Sequence, residues 1–494
     1  MDVRTPGPGP TVAIIGASLA GLFAAAAATA AGCQVTLLDR DDLDERTLAH
    51  PGVPQGRQPH VYLLGGLQAA EELLPGLRSG LLAAGAVELD TTRLAVLSEE
   101  GWFPVRSSGV LGLSMSRPLF ERVVRRHVLD LPGVQLVAGR AVTGLRRPEG
   151  PAGDWRVLTA AGEIAAAIVV DASGRGSRLP TWLAALGVAV PPTQEVDARI
   201  GYAVREFVDG PDLAGLTGIA IGTTPDTGRG GLVLPIEGGR WMVLASGCGD
   251  RRPPRDVDGF MDALRAQRDP AIAEFAGHAT PDGDVRIYRR NGNRRHRYDK
   301  CRDWPAGLLS VGDSLVSFNP IYGQGIAVAA LDALALRTAL ARHPGTLLDR
   351  RRTRRLMRRL ARVADLPWAI AVGADLRQPT SSGRQNPAQR VTSAWVRELT
   401  RQAAHGSERA QNALQRLTHL IGSPAGLIHP ALIGAALGRR AGRRPRPVAR
   451  PAGLDRLAMF EDPVPSPTAG PDRGGSVSAG SRPAGPTGSN VGTR

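Results

Sequence analysis

Val12-Ala13-Ile14-Ile15-Gly16-Ala17-Ser18-Leu19-Ala20-Gly21 is the stretch on which the fold of this chain turns. Four apolar residues read as a short buried strand. Gly16 to Gly21 reads as a tight turn of small residues, and Leu22 to Ala31 as an Ala-rich helix. A second strand, Gln34 to Leu38, ends on Asp39, 23 residues after Gly16. Strand, small-residue loop, helix and strand-end acid make a βαβ unit with a dinucleotide fingerprint. The loop needs small residues because backbone must approach a pyrophosphate closely and aim helix N-terminal N–H groups at it, while Asp39 accepts from a ribose hydroxyl. Ser18 stands where the fingerprint usually has its middle glycine. Val12 to Leu38 carries no charge and is long enough to span a bilayer. Gly16, Gly21 and Gly32 interrupt the run at element boundaries, however, and no charged flank or cleavage site accompanies it, which favours a soluble fold.

A length of 494 residues suggests two or three domains, or one domain with large insertions. The net charge of +15 is carried almost wholly by arginine, Lys300 being the only lysine. Without a nucleic-acid-binding module this charge reads as a solvated basic surface, and no nucleic-acid partner is expected. Cys33, Cys248 and Cys301 are scattered and form no C-x-x-C pair, so a reducing, cytoplasmic compartment is expected. The nine histidines show no metal-ligand spacing, and no metal is expected.

Further along, Pro51 to His60 is a turn-rich loop, open to two readings: a surface loop, or one from which Arg57 and Gln58 reach back to a ligand. A helix is expected from Val61 to Leu74. Ser114 to Leu131 reads as a strand end and an amphipathic helix, with Arg117 at its start able to pair with phosphate or to cap the turn. Val134 to Val137 and Ala141 to Leu145 read as short strands. Ile164 to Val170 reads as one buried strand leading into Asp171-Ala172-Ser173-Gly174-Arg175, at the kind of strand end where open α/β sheets hold ligands. Ile200 to Val208, Gly218 to Gly222, Gly231 to Pro235 and Arg240 to Ala245 form hairpins of an inserted antiparallel sheet, a candidate wall of a substrate pocket. Leu308 to Val311 then leads into Gly312-Asp313 and on to Asn319-Pro320-Ile321-Tyr322-Gly323-Gln324-Gly325, a second ligand-binding constellation ahead of a helix from Ile326 to Ala341. Two such sites in one chain need one long ligand. Helical spacing recurs at Arg350 to Val363, Asn386 to Ala404 and Arg409 to Ile421. An apolar segment, Leu427 to Leu437, precedes Arg439, Arg440, Arg443 and Arg444, and is read as a packed helix in preference to peripheral membrane contact. The Pro/Gly/Ser-rich end from Pro463 reads as disordered.

From Thr11 to Ala341 these motifs together resemble the FAD-dependent monooxygenases of the para-hydroxybenzoate hydroxylase fold type. Gly16 to Gly21 matches that family's first motif, Asp171-Ala172 its second and Gly312-Asp313 its third. Within the family the likeness is nearest to epoxidases of polyether-antibiotic pathways, of monensin type, which are themselves similar to squalene epoxidase. It is carried by Gly52-Val53-Pro54-Gln55 with Arg57 and His60, Asp171 to Leu179, Pro235 to Trp241, and Phe318 to Gly323. The fold class implied is α/β: a Rossmann-like FAD-binding domain (1–197, closed by 286–342), an inserted antiparallel substrate sheet (198–285), a helical C-terminal region (343–450) and a disordered tail (463–494). The resemblance implies an FAD-binding set of Gly16, Ser18, Ala20, Gly21, Asp39, Arg40, Arg57, Arg117, Val142, Asp171, Asp313, Pro320, Gly323, Gln324 and Gly325. In it Asp313 bonds the ribityl chain, Pro320 lies beside the flavin ring, and Gly323 to Gly325 offer N–H groups to the pyrimidine edge.

The reaction implied is oxygen transfer from a flavin C4a-hydroperoxide, formed with O₂, to an alkene of a hydrophobic polyketide or terpenoid-like intermediate in antibiotic biosynthesis. NADPH or NADH supplies the electrons, directly or through a separate flavin reductase. Val316 and Ala327 stand where many aromatic hydroxylases of the family carry histidine and asparagine. That weakens the alternative of aromatic or polyketide-ring hydroxylation, which gains from a general base where epoxidation needs none. The remaining alternative is a non-catalytic flavin- or membrane-binding protein.

Overall fold

In the computed structural model, which describes residues 9–43, 50, 59–107, 109–150, 153–289, 292–342, 349–440 and 446–458, the opening stretch forms the centre of a parallel sheet. The five strands lie in the order Leu308–Ser310, Ile168–Asp171, Thr11–Ile15, Gln34–Leu38, Val134–Val137. Ile15 pairs with Leu38 on one side and Asp171 on the other, and Asp171 in turn pairs with Ser310. This register puts Gly16, Asp39, Ala172 and Val311 along one carboxyl edge, where open sheets of this class take ligands.

The helix Leu19–Thr29 is buried on nearly every side, from Gly21 through Ala28. It packs against the sheet, against Arg117–Leu129 and against the apolar helix Gln324–Ala341. Small residues permit such closeness: a Cβ at Gly312 would lie 2.7 Å from that of Ala20, and, where Leu64–Leu73 meets Gln324–Ala341, one at Gly66 would lie 2.6 Å from the Ala327 Cα. The uncharged run 12–38 is thus strand, helix and strand of a central layer. Gln324–Ala341, long and apolar enough by composition to cross a membrane, is packed between Leu19–Thr29, Leu64–Leu73 and Arg350–Val363.

A second sheet has seven strands in the order Thr280–Tyr288, Ile200–Val208, Trp241–Cys248, Arg229–Pro235, Ile219–Ile221, Ala95–Ser98, Gly101–Trp102. The four expected hairpin strands are its middle. Its edge is supplied by residues 95–102, which the sequence groups with the nucleotide-binding part; Ala95–Ser98 joins in parallel to Ile219–Ile221, a pairing without a local hairpin signal. One face of this sheet is covered by Val257–Arg265, Ala271–His278 and Ala452–Ala458, with Phe207, Phe260, Phe275 and Leu454 between them. The alternate residues of the opposite face gather Tyr202, Val204, Leu232, Leu244 and Tyr288.

Several boundaries move for local reasons. The helix expected from Val61 is a strand, Pro59–Tyr62, followed by the helix Leu64–Leu73. The run Ile164–Val170 divides into Gly162–Ala166, which pairs with Trp155–Thr159, and Ile168–Asp171, which enters the parallel sheet. Pro387–Ala404 starts at an Asn386 capping box in which the side chains of Asn386 and Gln389 each accept the other's backbone N–H at 2.9 Å. Pro430–Arg440 buries Leu432 but leaves Ile433 and Leu437 exposed. The tail expected to be disordered lies outside the described residues.

Gly21 tests the tight packing of the first loop. Alanine at an ordinary helix position gains about 1 kcal/mol over glycine. A Cβ here, however, would sit 1.8 Å from the Gly16 carbonyl oxygen, which is backbone and cannot swing away. Gly21→Ala is expected to destabilise by roughly 2–3 kcal/mol through forced separation of helix and strand, read as a lower urea midpoint; an unchanged or raised midpoint would refute the close packing.

Candidate functional site

The first loop leaves Ile15 with Gly16 at a φ of 102°, and a Cβ on Gly16 would lie 2.6 Å from the Ala172 carbonyl oxygen. Backbone therefore abuts backbone at the point where the chain's connections diverge to the two sides of the sheet. The Ser18 hydroxyl does not cap the helix it precedes. It donates to Glu121 Oε2 at 3.0 Å and accepts from Arg117 Nη2 at 3.0 Å. Helix geometry leaves the first-turn N–H groups without intrahelical partners, and Ser18 adds a buried guanidinium beside them. Arg117 is thereby fixed, buried, beside the helix start.

Glu121 organises this corner. It accepts from Arg117 at 3.2 Å, Arg125 at 3.1 Å and His50 Nδ1 at 2.5 Å. Burial pushes its carboxyl up, but the His50 hydrogen bond and the Arg117, His50 and Arg125 charges outweigh that and hold it at about 2. Burial likewise disfavours charge on His50, yet Asp39 and Glu121 raise it to about 9, so the ring is an imidazolium at neutral pH. Its Nε2 lies 3.4 Å from Asp39 and 3.3 Å from Asp41. Ligand atoms of Asp39, Asp41 and His50 fall within 4.8 Å of one another, and the protonated ring supplies the positive charge this cluster requires. Asp39 also accepts from the Ala17 N–H at 2.7 Å and the Asp41 N–H at 2.9 Å; His50 first and then these bonds outweigh its burial and lower its carboxyl. The Arg140 N–H donates to the Asp39 carbonyl at 2.6 Å, which keeps the strand starting at Val142 close by. Arg40 turns outward, 68% exposed and 3.8 Å from Asp41, apart from this constellation. Arg57 lies outside the described residues.

Asp171 is fully buried and folds its own turn. Oδ1 accepts from the Ser173 N–H at 3.1 Å and hydroxyl at 2.5 Å, and Oδ2 from Ser177 at 2.6 Å. From that turn Arg175 donates to the carbonyls of Gly292 at 2.6 Å and Phe318 at 2.9 Å. Its charge is the strongest pull on Asp313, whose carboxyl burial raises and Arg175, Arg117 and Arg294 lower. Among the described residues, none donates a hydrogen bond to the Asp313 carboxylate. A Cβ on Gly325 would lie 3.4 Å from Asp313 Oδ1, so the start of Gln324–Ala341 and the third-motif acid face each other closely. Gln324 is buried with its Oε1 unpartnered among the described residues. The structure thus joins Gly16, Ser18, Ala20, Gly21, Arg117, Asp313 and Gly325 at one edge through direct contacts, with Asp171 beneath.

Beside Pro320 a buried carboxylate clamps the turn. Asp375, at the end of Asp365–Asp375, accepts from Tyr322 Oη at 2.5 Å, Asn293 Nδ2 at 2.6 Å and Asn319 Nδ2 at 3.4 Å. Burial raises it to about 6. Asn293 Oδ1 in turn accepts the Asn319 N–H at 2.8 Å. Gly323 then takes a φ of 65° to start the next helix. His50, Glu121, Asn293, Asp332 and Asp375 were absent from the sequence reading. Glu121 had a signal, since Arg117 and Arg125 flank it at i−4 and i+4, and so had Asp332, a lone acid in an apolar helix. Asp375 had none.

These features fit an extended dinucleotide. Gly16, Gly21 and Gly312 let the three motifs close up where a Cβ would strike protein atoms, the first-turn N–H groups and Arg117 suit a pyrophosphate, and Asp313 and the buried Gln324 Oε1, without donors among the described residues, present acceptors.

Asp332 props up this edge from within. Oδ2 accepts the Gly312 N–H at 3.0 Å and Oδ1 has no partner among the described residues. Burial raises its carboxyl to about 8. A folded-state value above the unfolded one means that the folded chain holds a proton the unfolded chain has released. The stabilisation is complete below about pH 4 and is lost as pH rises to about 8. Asp332→Asn should therefore gain on the wild type in urea-unfolding stability from pH 4 upward, with the difference levelling off above pH 8; a pH-independent difference would show Asp332 to be ionised in the fold.

No family model matches the chain. Among solved structures, a flavoprotein/dehydrogenase from Cytophaga hutchinsonii is 14% identical with a TM-score of 0.63, the match covering 88% of this chain and 100% of that one. The p-nitrophenol 4-monooxygenase PnpA of Pseudomonas putida DLL-E4 is 16% identical with a TM-score of 0.58, covering 84% and 99%. PqsL of Pseudomonas aeruginosa, a probable FAD-dependent monooxygenase, is 17% identical with a TM-score of 0.56, covering 74% and 97%. The chain has the fold of these flavoproteins. In sequence, Protein Rv3254 of Mycobacterium tuberculosis (strain ATCC 25618 / H37Rv) is 34% identical over 356 residues, 69% of this chain and 75% of that protein. This chain belongs to the same family as Protein Rv3254.

Proposed function

We propose that the chain is an FAD-dependent monooxygenase, and that within this class it epoxidises one or more alkenes of a hydrophobic polyketide or terpenoid-like intermediate. The observation that carries the reading is the meeting of three distant motifs at one sheet edge, with the Asp313 carboxylate facing the Gly325 helix start without a donor among the described residues. The first-turn N–H groups of Leu19–Thr29 and Arg117 would hold the pyrophosphate, Asp39 the ribose, Asp313 the ribityl hydroxyls, and Pro320 with Gly323 to Gly325 the ring. When bound and reduced, FAD supplies the oxygen-activating chemistry. The protein's part is position and field. The N–H groups opening Gln324–Ala341 would stabilise negative charge at the pyrimidine edge. Asp375 holds the Asn319–Tyr322 turn in place, and Ala198, Ile200, Cys248 and Ile321 exclude water beside it.

Epoxidation is favoured over ring hydroxylation by the state of the titratable groups. A phenol gives up a proton to a base, whereas an alkene has none to give. Val316 and Ala327 are buried and apolar, and both Asp375 oxygens already accept hydrogen bonds from Asn293 and Tyr322. The sheet face bearing Tyr202, Val204, Leu232, Leu244 and Tyr288 would receive an apolar chain. Electrons would come from NADPH or NADH, directly or through a flavin reductase. The three buried, unpaired cysteines suit a reducing cytoplasm.

Purified protein should take up FAD and show bound-flavin absorbance; protein that stays colourless would refute the flavin reading. Asp313→Ala should weaken FAD binding by about 10- to 100-fold, the value of one or two charge-assisted hydrogen bonds, measured by flavin fluorescence quenching. With reductant and ¹⁸O₂, the wild type should place one labelled oxygen in an epoxide of an apolar polyene. A labelled phenol from aromatic substrates with no epoxide would favour the hydroxylase alternative.

A further inference from the structure

Away from the sheet edge, the segment Arg295–Arg302 and the helix Arg350–Val363 enclose a concavity of about 540 Å³ lined by Arg295, Arg297, Asp299, Lys300, Arg302, Arg354, Arg358, Ala361, Arg362 and Asp365. Seven cations face two carboxylates there. Both carboxylates are committed: Asp365 accepts from Arg295 at 2.7 Å, and Asp299 accepts from Arg297 at 2.9 and 2.8 Å. Among the described residues, Lys300, Arg302, Arg354, Arg358 and Arg362 have no ion-pair partner, and the buried Arg354 Nε has no hydrogen-bond partner.

These five cations converge on one concavity although four of them, Lys300, Arg302, Arg358 and Arg362, are exposed to solvent. Arg350–Val363 carries its apolar seam, Leu356, Met357 and Leu360, into the core, and Arg351, Arg355 and Arg359 are exposed and lie outside the concavity. Arg354, half-buried, and Arg358, exposed, lie one turn apart and line the concavity together with Lys300 and Arg302. Like charges crowded into one concavity repel one another. A counter-anion offsets that repulsion, and planar guanidinium groups favour the oxygens of a phosphate, which they can grip in pairs.

We propose that this concavity binds a small molecule carrying two or more phosphate groups. Its volume suits a ligand of that size rather than a macromolecular surface. Five unpaired cations outnumber the charge of a single phosphate. The site is independent of FAD and of the monooxygenase reading.

The test is calorimetric titration with inorganic pyrophosphate, at physiological salt, of the full chain loaded with one equivalent of FAD and cleared of unbound FAD, so that the first loop is not scored. Saturable binding is expected. Arg354→Gln with Arg358→Gln should weaken it at least tenfold, while the charge-matched pair Arg355→Gln with Arg359→Gln, outside the concavity, should change it less than twofold. Lys300→Gln with Arg302→Gln, both exposed, repeats the test should the first pair lower the thermal midpoint. Absence of saturation in the wild type, or equal weakening by variants inside and outside the concavity, would overturn the site and leave only diffuse attraction to a basic protein.

Discussion

Ile15 pairs with Leu38 and Asp171 in one parallel register, and Gly16 then turns so tightly that its backbone touches that of Ala172. That contact leaves no room for a Cβ at Gly16 or Gly21 and draws the start of Leu19–Thr29 to the sheet edge. A side chain at Gly312 would push Ala20 away and, with it, the third motif from the first. The edge can then be polar because the layer behind it is dry: Phe23, Ala24 to Ala28, Val169 and Val170 are all but inaccessible to solvent. Close backbone approach and apolar backing are one constraint seen from two sides.

Charge at this edge is arranged in alternation. Arg117 and Arg125 meet Glu121, Glu121 meets His50, and His50 meets Asp39 and Asp41. Each buried ion would be costly alone, since burial opposes the charged form of Glu121, His50 and Asp39 alike. Their partners reverse that preference in every case. Loss of one partner would strand its neighbours, so the corner holds Arg117 and Ser18 with more precision than a surface ion pair could.

What the sequence disclosed follows from how local each signal is. The Val12 to Asp39 unit and the Gly312 to Gly325 motif are contiguous patterns of small, apolar and acidic residues, and both could be read before any contact was known. The helix over Arg350–Val363 was legible from its alternation of arginine with Leu356, Met357 and Leu360. The strand Ala95–Ser98 was not, because its partner Ile219–Ile221 is far along the chain and the pairing is parallel. Nor was Asp375 legible. It is an ordinary acid at a helix end until folding brings Asn293, Asn319 and Tyr322 around it.

Asp375 also explains why the C-terminal helices are more than a covering. The helix that ends in this acid begins at Asp365, which holds Arg295 at 2.7 Å, while Asn293, two residues away on the same short strand, binds Asp375 itself. Arg294 and Arg295 pair across to Ser317 and Val316, the residues that lead into the Asn319 turn. Strand, turn and helix therefore close a loop of contacts in which no member can shift without moving another. Arg175 adds a tie from the second motif, gripping Gly292 just before that strand and Phe318 just before the turn. The turn beside Pro320 is thus positioned by three segments from distant parts of the chain. Its geometry depends mainly on buried hydrogen bonds, those of Asp375 and of the Arg175 guanidinium among them, so salt, which screens exposed charge, should leave it largely undisturbed.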